Sequence, residues 1–272
     1  MKKLVVCLMV MWMQTMVSAL VVQTADTLHY WNFDDGTGTD LAGSYDVAAY
    51  EGAAFNSGVA NTYDNQATAT GKIIADAAGY TNYSSLGSFI GAAGSFSFEA
   101  MVKPLLADSS AHQEILCGEG DGGADTRGFQ FRIENTDTTL RFQNLSSGTN
   151  NWNATISYTT GQWYHAAVTF DASTGALNMY WTPAGQALNN VFSTTVAAAN
   201  NPLLQATDMT RFCIGNELRV NSGYGNENFE GWIDEVGVHG VALTAFDTRI
   251  PEPATLALLG MGALGLIKRR RV

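Results

Sequence analysis

Between Leu28 and Val238, apolar residues recur at every second position in short runs, separated by clusters of Gly, Asn, Asp, Ser and Thr. That alternation predicts half-buried β-strands. The clearest case is Gln162–Pro183. Trp163–Phe170 and Leu177–Trp181 read as two strands, and Asp171–Gly175 supplies a turn-bonding carboxylate and a glycine able to take positive φ. Tyr164, Ala166, Val168 and Phe170 share one face, while Trp163, His165, Ala167 and Thr169 share the other. Both faces are apolar enough that the hairpin should be covered on each side. Further strands are predicted at Leu28–Phe33, Phe96–Val102, Glu114–Cys117, Phe129–Ile133, Leu140–Leu145, Ala154–Tyr158, Val191–Val196, Arg211–Ile214 and Trp232–Val238. Gly43–Gly94 reads as loops with short edge strands near Val47–Tyr50 and Ile73–Ile74. Leu243–Thr248 is the stretch able to make one helical turn. Regular strand spacing, with no sustained amphipathic helix, gives an all-β, two-sheet antiparallel β-sandwich.

The two ends follow different rules. Met1–Lys3 is basic, Leu4–Met13 is apolar, and Val17–Ala19 places small residues where a signal peptidase cuts; Ala25 is the alternative cut. At the other end, Pro251, Glu252 and Pro253 precede an apolar run, Leu256–Ile267, and a basic cluster, Lys268–Arg271. The run covers about 12 to 14 residues, roughly 20 Å as a helix, against a hydrocarbon core of ~30 Å. Its basic end would stay on the cytoplasmic side, so the preceding domain faces outward. The chain therefore divides into a signal segment (1–25), one β-sandwich (26–249) and a C-terminal tail (250–272). A permanent tail anchor is the alternative reading of the last segment.

Removing the ends sharpens the charge. The 272-residue chain carries a formal net charge of −11. Six of its 14 basic residues and one of its 25 acidic residues lie in the end segments, so the sandwich holds 8 basic and 24 acidic residues, a formal −16. Such a surface repels nucleic acid and anionic lipid, and suits divalent cations or neutral glycans. Cys117 and Cys213 are the cysteines left in the sandwich. In an oxidising compartment they form either one disulfide or two buried thiols.

Hard cations take oxygen ligands from acidic loops. Two loops offer them to calcium: Asp34, Asp35 and Asp40, and Glu119, Asp121 and Asp125. Neither has EF-hand spacing, and solvated acidic turns are the alternative. For a glycan, exposed aromatics stack on sugar faces while amides bond the hydroxyls. Trp152, Tyr224 and Asn226 lie in Asn- and Gly-rich text that suits this.

Trp163–Asp171 with Leu177–Trp181, Ser95–Lys103, Phe212–Asn216 and Phe229–Val238 together resemble the strand signatures of laminin-G-like domains of the concanavalin A-like lectin/glucanase class. The resemblance implies a concanavalin A-like jelly roll, and it implies lectins, hydrolases or adhesion modules alike. It also implies calcium at a sandwich rim. Laminarinase-type relatives carry paired carboxylates on one strand. The nearest text here, Glu230–Glu235, has Trp232 in the middle position, and Asp234 and Glu235 as neighbours should point to opposite faces. Glu99 reads as a lone carboxylate on a partly exposed strand. The tail resembles a PEP-CTERM sorting signal. That implies a Gram-negative bacterium, an exosortase-type processing enzyme, passage through the inner membrane, and a product at the cell surface or in the exopolysaccharide matrix. The expectation is a secreted, non-catalytic binder of glycan or exopolysaccharide. A structural matrix protein and a divergent glycoside hydrolase are the alternatives.

Overall fold

The computed structural model describes residues 23–50, 53–56, 59–61, 72–75, 94–106, 112–119, 128–134, 138–144, 150–197, 211–215 and 229–248. Fifteen strands lie within them. They are β1 (Thr27–Trp31), β2 (Val47–Tyr50), β3 (Ala54–Asn56), β4 (Val59–Asn61), β5 (Lys72–Ala75), β6 (Phe96–Pro104), β7 (Gln113–Glu119) and β8 (Phe129–Ile133), followed by β9 (Thr139–Asn144), β10 (Asn150–Thr155), β11 (Tyr164–Asp171), β12 (Ala176–Pro183), β13 (Asn190–Thr195), β14 (Arg211–Ile214) and β15 (Gly231–His239). All pairings are antiparallel. The first sheet runs β13-β12-β11-β6-β15-β4-β3, with β1 also on β15, and the second runs β10-β9-β8-β7-β14-β5-β2. The two-sheet sandwich is the architecture the alternation predicts.

The core forms where the inward faces meet. Phe96 and Phe98 of β6 and Phe170 of β11 face Phe129, Phe131 and Phe142 of β8 and β9, all essentially inaccessible to solvent. Phe98 stacks on Phe129 at 4.5 Å between centroids, and Trp31 stacks on Phe212 at 5.6 Å. Such ring pairs each add about 0.5–1.5 kcal/mol beyond simple burial.

The β11–β12 hairpin forms where its sequence predicts, and its register runs from Tyr164 opposite Pro183 to Asp171 opposite Ala176. Asp171 accepts from the Ser173 N–H and from the Thr174 hydroxyl, both at 2.8 Å. Gly175 takes φ 73°, and a Cβ there would lie 2.4 Å from the Val196 carbonyl oxygen. Both faces of β11 are buried. The inward one meets the second sheet. The outward one lies beneath the C-terminal segment 240–248, whose Phe246 ring packs on His165 and Tyr180 at 5.0 and 5.4 Å.

Two local expectations are corrected. Segment 243–248 is a strap without a helical turn. Its backbone is spoken for by partners elsewhere: the Leu243 N–H donates to Ser97 Oγ at 2.8 Å, and the Gly185 N–H donates to the Thr248 carbonyl at 2.6 Å. The strand expected at Ala154–Tyr158 runs instead from Asn150 to Thr155. Trp152 stands opposite Phe142 there and stacks on it at 5.8 Å, which draws the asparagine-rich stretch into the sheet.

Candidate functional site

The outward positions of the second sheet line up in transverse rows. One row is Asn153 (β10), Arg141 (β9), Arg132 (β8) and Glu114 (β7). The next is Asn151, Gln143, Gln130, Cys117 and, on β14, Cys213. Each residue is there because its neighbours at i±1 in the strand, such as Phe129, Phe131, Leu140 and Phe142, take the core side. The result is a face of guanidinium, amide and carboxylate groups over an aromatic core.

Arg132 is its hub. Nε donates to Glu134 Oε1 at 2.8 Å, and Nη1 donates to Glu114 Oε1 at 3.0 Å and Gln130 Oε1 at 2.7 Å. Arg141 Nε lies 3.0 Å from Glu134 Oε1 and donates to Asn153 Oδ1 at 2.8 Å, while His112 Nδ1 lies 3.3 Å from Glu134 Oε2. Arg132, Glu114, Gln130, Glu134 and Gln143 are all buried, whereas Asn151 and Asn153 are exposed at the β10 edge. Burial opposes the charge on Arg132, but Glu114 and then Glu134 outweigh it and raise its pKa above the ordinary range. For Arg141 burial prevails, and Arg132 adds to it, so its pKa is lowered. Glu114 and Glu134 both accept from one guanidinium. That is the geometry of an ion-pair network, not of an acid and a base facing each other across a bond. Gln143 Oε1 is buried and has no hydrogen-bond partner among the described residues.

The residues singled out in the sequence are dispersed by the fold. Trp152 is half-buried on the core side of β10 rather than in a loop, because it pairs with Phe142. Tyr224, Asn226, Asp121 and Asp125 lie outside the described residues, as do Pro251, Glu252 and Pro253. Glu119 ends β7. Cys117 and Cys213 are opposite each other and fully buried.

Asp34 and Asp40 are not joint ligands. Asp40 is turned inward, where Oδ1 accepts from the N–H groups of Tyr30, Ala42 and Gly43 at 3.0, 3.1 and 2.8 Å. Its Oδ2 accepts from the Tyr45 N–H at 3.0 Å and from His29 Nδ1 at 2.8 Å. Burial would raise its pKa, but these donors, His29 foremost, lower it. With five donors on two oxygens, Asp40 organises its own loop and does not fit a calcium ligand. Asp34 bonds Asn32 Nδ2 at 2.9 Å, and burial followed by the charge of Asp35 raises its pKa. Among the described residues no three His, Cys, Asp or Glu side chains converge as metal ligands.

Two clusters on the outward face of the first sheet escaped the sequence reading. Glu99, expected to be partly exposed, is buried between His165 Nε2 at 2.9 Å and His239 Nε2 at 2.8 Å. Gly237 makes room for this, since a Cβ there would lie 2.8 Å from His239 Nε2. Asp234 and Glu235, expected to face apart, are both buried. A register shift between Asp234 and Gly237, with Glu235 at φ 49°, re-aims the strand, and the Tyr30 hydroxyl donates to Glu235 Oε2.

With this geometry in view, the likenesses to known proteins fall into place. The family model described as the concanavalin A-like lectin/glucanases superfamily matches residues 77–247, and the one for the PEP-CTERM protein-sorting motif matches residues 249–271. No curated protein sequence matches the chain. Among solved structures, it is similar to domain 4 of AbnA, an extracellular arabinanase from Geobacillus stearothermophilus, in complex with arabinotriose. The TM-score is 0.56 at 19% identity, covering 84% of this chain and 96% of that one. It is also similar to the binding domain of botulinum neurotoxin DC, with a TM-score of 0.54 at 12% identity, covering 88% of this chain and 52% of the toxin chain. The chain belongs to the concanavalin A-like lectin/glucanase superfamily, in its laminin-G-like branch, and carries a C-terminal PEP-CTERM protein-sorting motif.

Proposed function

We propose that this is an exported, non-catalytic carbohydrate-binding domain whose sugar site is the outward face of β7–β10. One observation carries the reading. Gln143 Oε1 is a buried acceptor with no hydrogen-bond partner among the described residues, set in an amide row beside the Arg132 and Arg141 row, and the two rows open to solvent at Asn151 and Asn153. Buried polar groups are nearly always satisfied, so an open acceptor beside an exposed polar edge suits a ligand hydroxyl. Planar amide and guanidinium groups in fixed rows offer both donors and acceptors, as a sugar needs. The acidic surface favours a neutral glycan over an anionic one. The arabinotriose held by a domain of the same fold supports the ligand class. The sorting motif supports export to the envelope of a Gram-negative cell, with an exosortase-type enzyme acting at Pro251–Pro253. Calcium belongs to the same reading through Glu119, which ends β7, and Asp121 and Asp125 in the glycine-spaced sequence that follows it.

The test is binding of the sandwich to a panel of neutral and acidic glycans, with Gln143→Ala and Asn153→Ala alongside. Retained stability with lost binding in both variants supports the site. Binding that survives both places the sugar elsewhere, and release of reducing sugar from a bound glycan makes the protein a hydrolase.

A further inference from the structure

The end of the first sheet where the chain leaves the sandwich has its own chemistry. Ala184 and Gly185 are consecutive. The N–H of the first donates to the Trp163 carbonyl at 2.9 Å, and that of the second to the Thr248 carbonyl at 2.6 Å. The Thr248 hydroxyl adds a bond to the Gln186 carbonyl at 2.7 Å. Lys103, at the same end of β6, is opposite Trp232 in register. Its Nζ lies 4.9 Å from the Trp232 ring centroid and 6.0 Å from that of Trp163. Leu106 follows two residues beyond β6 and is one of two large hydrophobic side chains exposed among the described residues. Two half-buried tryptophans and a lysine therefore lie at the end of the sheet where the chain leaves, and an exposed leucine follows β6 at that end.

Chain length fixes what lies opposite. Thr248 is held by the fold, and the apolar run of the tail begins at Leu256, eight residues later. Fully extended, eight residues reach at most about 28 Å. While the tail is in a bilayer, this end of the sandwich stays within about 28 Å of the bilayer surface. Tethers this short impose effective concentrations near millimolar, so even a weak contact becomes occupied.

We propose that the end bearing Lys103, Leu106, Trp163 and Trp232 rests on the lipid surface that holds the uncleaved tail, and presents the sorting motif there. The proposal rests on the export reading of the tail. Tryptophan and lysine are the side chains that favour the interface between headgroups and acyl chains. The lysine ammonium lies over the Trp232 ring, a face that a stacked sugar would need free. The surface fits zwitterionic lipid, because the domain's acidic charge opposes an anionic one. The sugar face is on the other sheet, so both contacts can be made together.

The experiment uses the chain freed of its signal segment, and so of Trp12, but with its tail uncleaved, in phosphatidylcholine vesicles with brominated acyl chains, which quench nearby indoles. Trp31 and Trp181 are buried in the core, and Trp152 is on the opposite sheet. Quenching should therefore come from Trp163 and Trp232. It should be lost in the Trp163→Phe/Trp232→Phe variant and weakened in Lys103→Glu, which keeps both indoles. Chain that floats with the vesicles but is quenched equally in wild type and double variant overturns the docking and leaves the tail reading intact. Chain that does not float overturns both. Protection of these indoles by a soluble glycan, without vesicles, assigns the patch to sugar and overturns the lipid contact.

Discussion

Cys117 on β7 stands directly opposite Cys213 on β14. Directly paired residues of antiparallel strands have Cα atoms about 4.5–5.5 Å apart, inside the range a disulfide spans. Both remain thiols in the structure, fully buried in the same transverse row as Gln130. In an exported protein this pair is set to oxidise. The bridge would close a loop of roughly a hundred residues and stabilise by on the order of 2–4 kcal/mol. Thiol labelling of non-reduced protein from the envelope should find no reactive cysteine, and reductant should lower Tm. Two labelled thiols in unfolded, never-reduced protein would end this expectation.

Arg132 compensates two buried carboxylates at once. Truncating it takes the guanidinium away from Glu114 and leaves Glu134 with Arg141 and His112, and breaking a buried pair from one side costs about 3–5 kcal/mol. Arg132→Ala should therefore lower Tm far more than Asn153→Ala at the exposed edge. Arg132→Lys keeps the charge but loses the fork and should fall between. Equal Tm values for Arg132→Ala and wild type would mean that the network contributes nothing.

The inward half of the fold was legible because alternation reports burial directly. Phe129–Ile133, Val47–Tyr50 and Arg211–Ile214 have the ends the sequence predicts. The outward half was written in the same strands but went unread. Gln130, Arg132, Arg141 and Gln143 are the polar letters of the alternation, and long planar donors repeated there mark a built face rather than a solvated one. Aromatics in polar text and acidic loops are the louder signals in the sequence, yet Trp152 is a strand residue pairing with Phe142. Glu99 with His165 and His239 could not be read at all. These residues are 66 and 140 positions apart, and only sheet order brings them together. Asp234 and Glu235 were misread because a bulge breaks the period-two rule that was applied to them.

The Glu99 cluster predicts an acid limit to stability. Burial alone would raise the Glu99 pKa, but hydrogen bonds from His165 and His239 outweigh it and hold it below the ordinary carboxylate value. A depressed folded pKa contributes stability above the unfolded value and loses it as pH falls through the folded one. Glu99→Gln keeps the shape and removes the charge. Its Tm should lie below wild type near neutrality, and the gap should close in acid. A gap that is constant across the titration would show that shape alone matters there.

Calcium at the loop after β7 predicts a rise in Tm. A ligand that binds only the folded state adds about 2.7 kcal/mol at a hundredfold excess over Kd. Millimolar calcium should raise Tm by several degrees where matched sodium does not. Asp121→Asn with Asp125→Asn should abolish the rise. Asp34→Asn should leave it intact, because Asp40, its supposed partner, has both oxygens occupied by its own loop. The same Tm with calcium and with chelator would make both loops ordinary turns.

Asp234 works in the opposite sense to Glu99. Burial raises its pKa well above the model-compound value, and the charges of Glu235 and Asp34 add to this, against one bond from the Glu235 N–H at 2.8 Å. A carboxyl whose folded pKa is raised supports the fold below its unfolded pKa, and that support is lost as pH rises through the folded value. The Asp234 contribution to stability should therefore decline as pH rises above the ordinary carboxylate range. Asp234→Asn retains an Oδ1 acceptor for the Glu235 N–H and carries no charge toward Glu235 or Asp34. Its Tm should exceed wild type on the alkaline side and converge with it in acid. The measurement is paired thermal melts from acid to alkaline pH without divalent ions. An asparagine variant less stable than wild type by the same margin at every pH would mean that the shape or the acid proton of Asp234 matters there, and would overturn the repulsion inferred from burial.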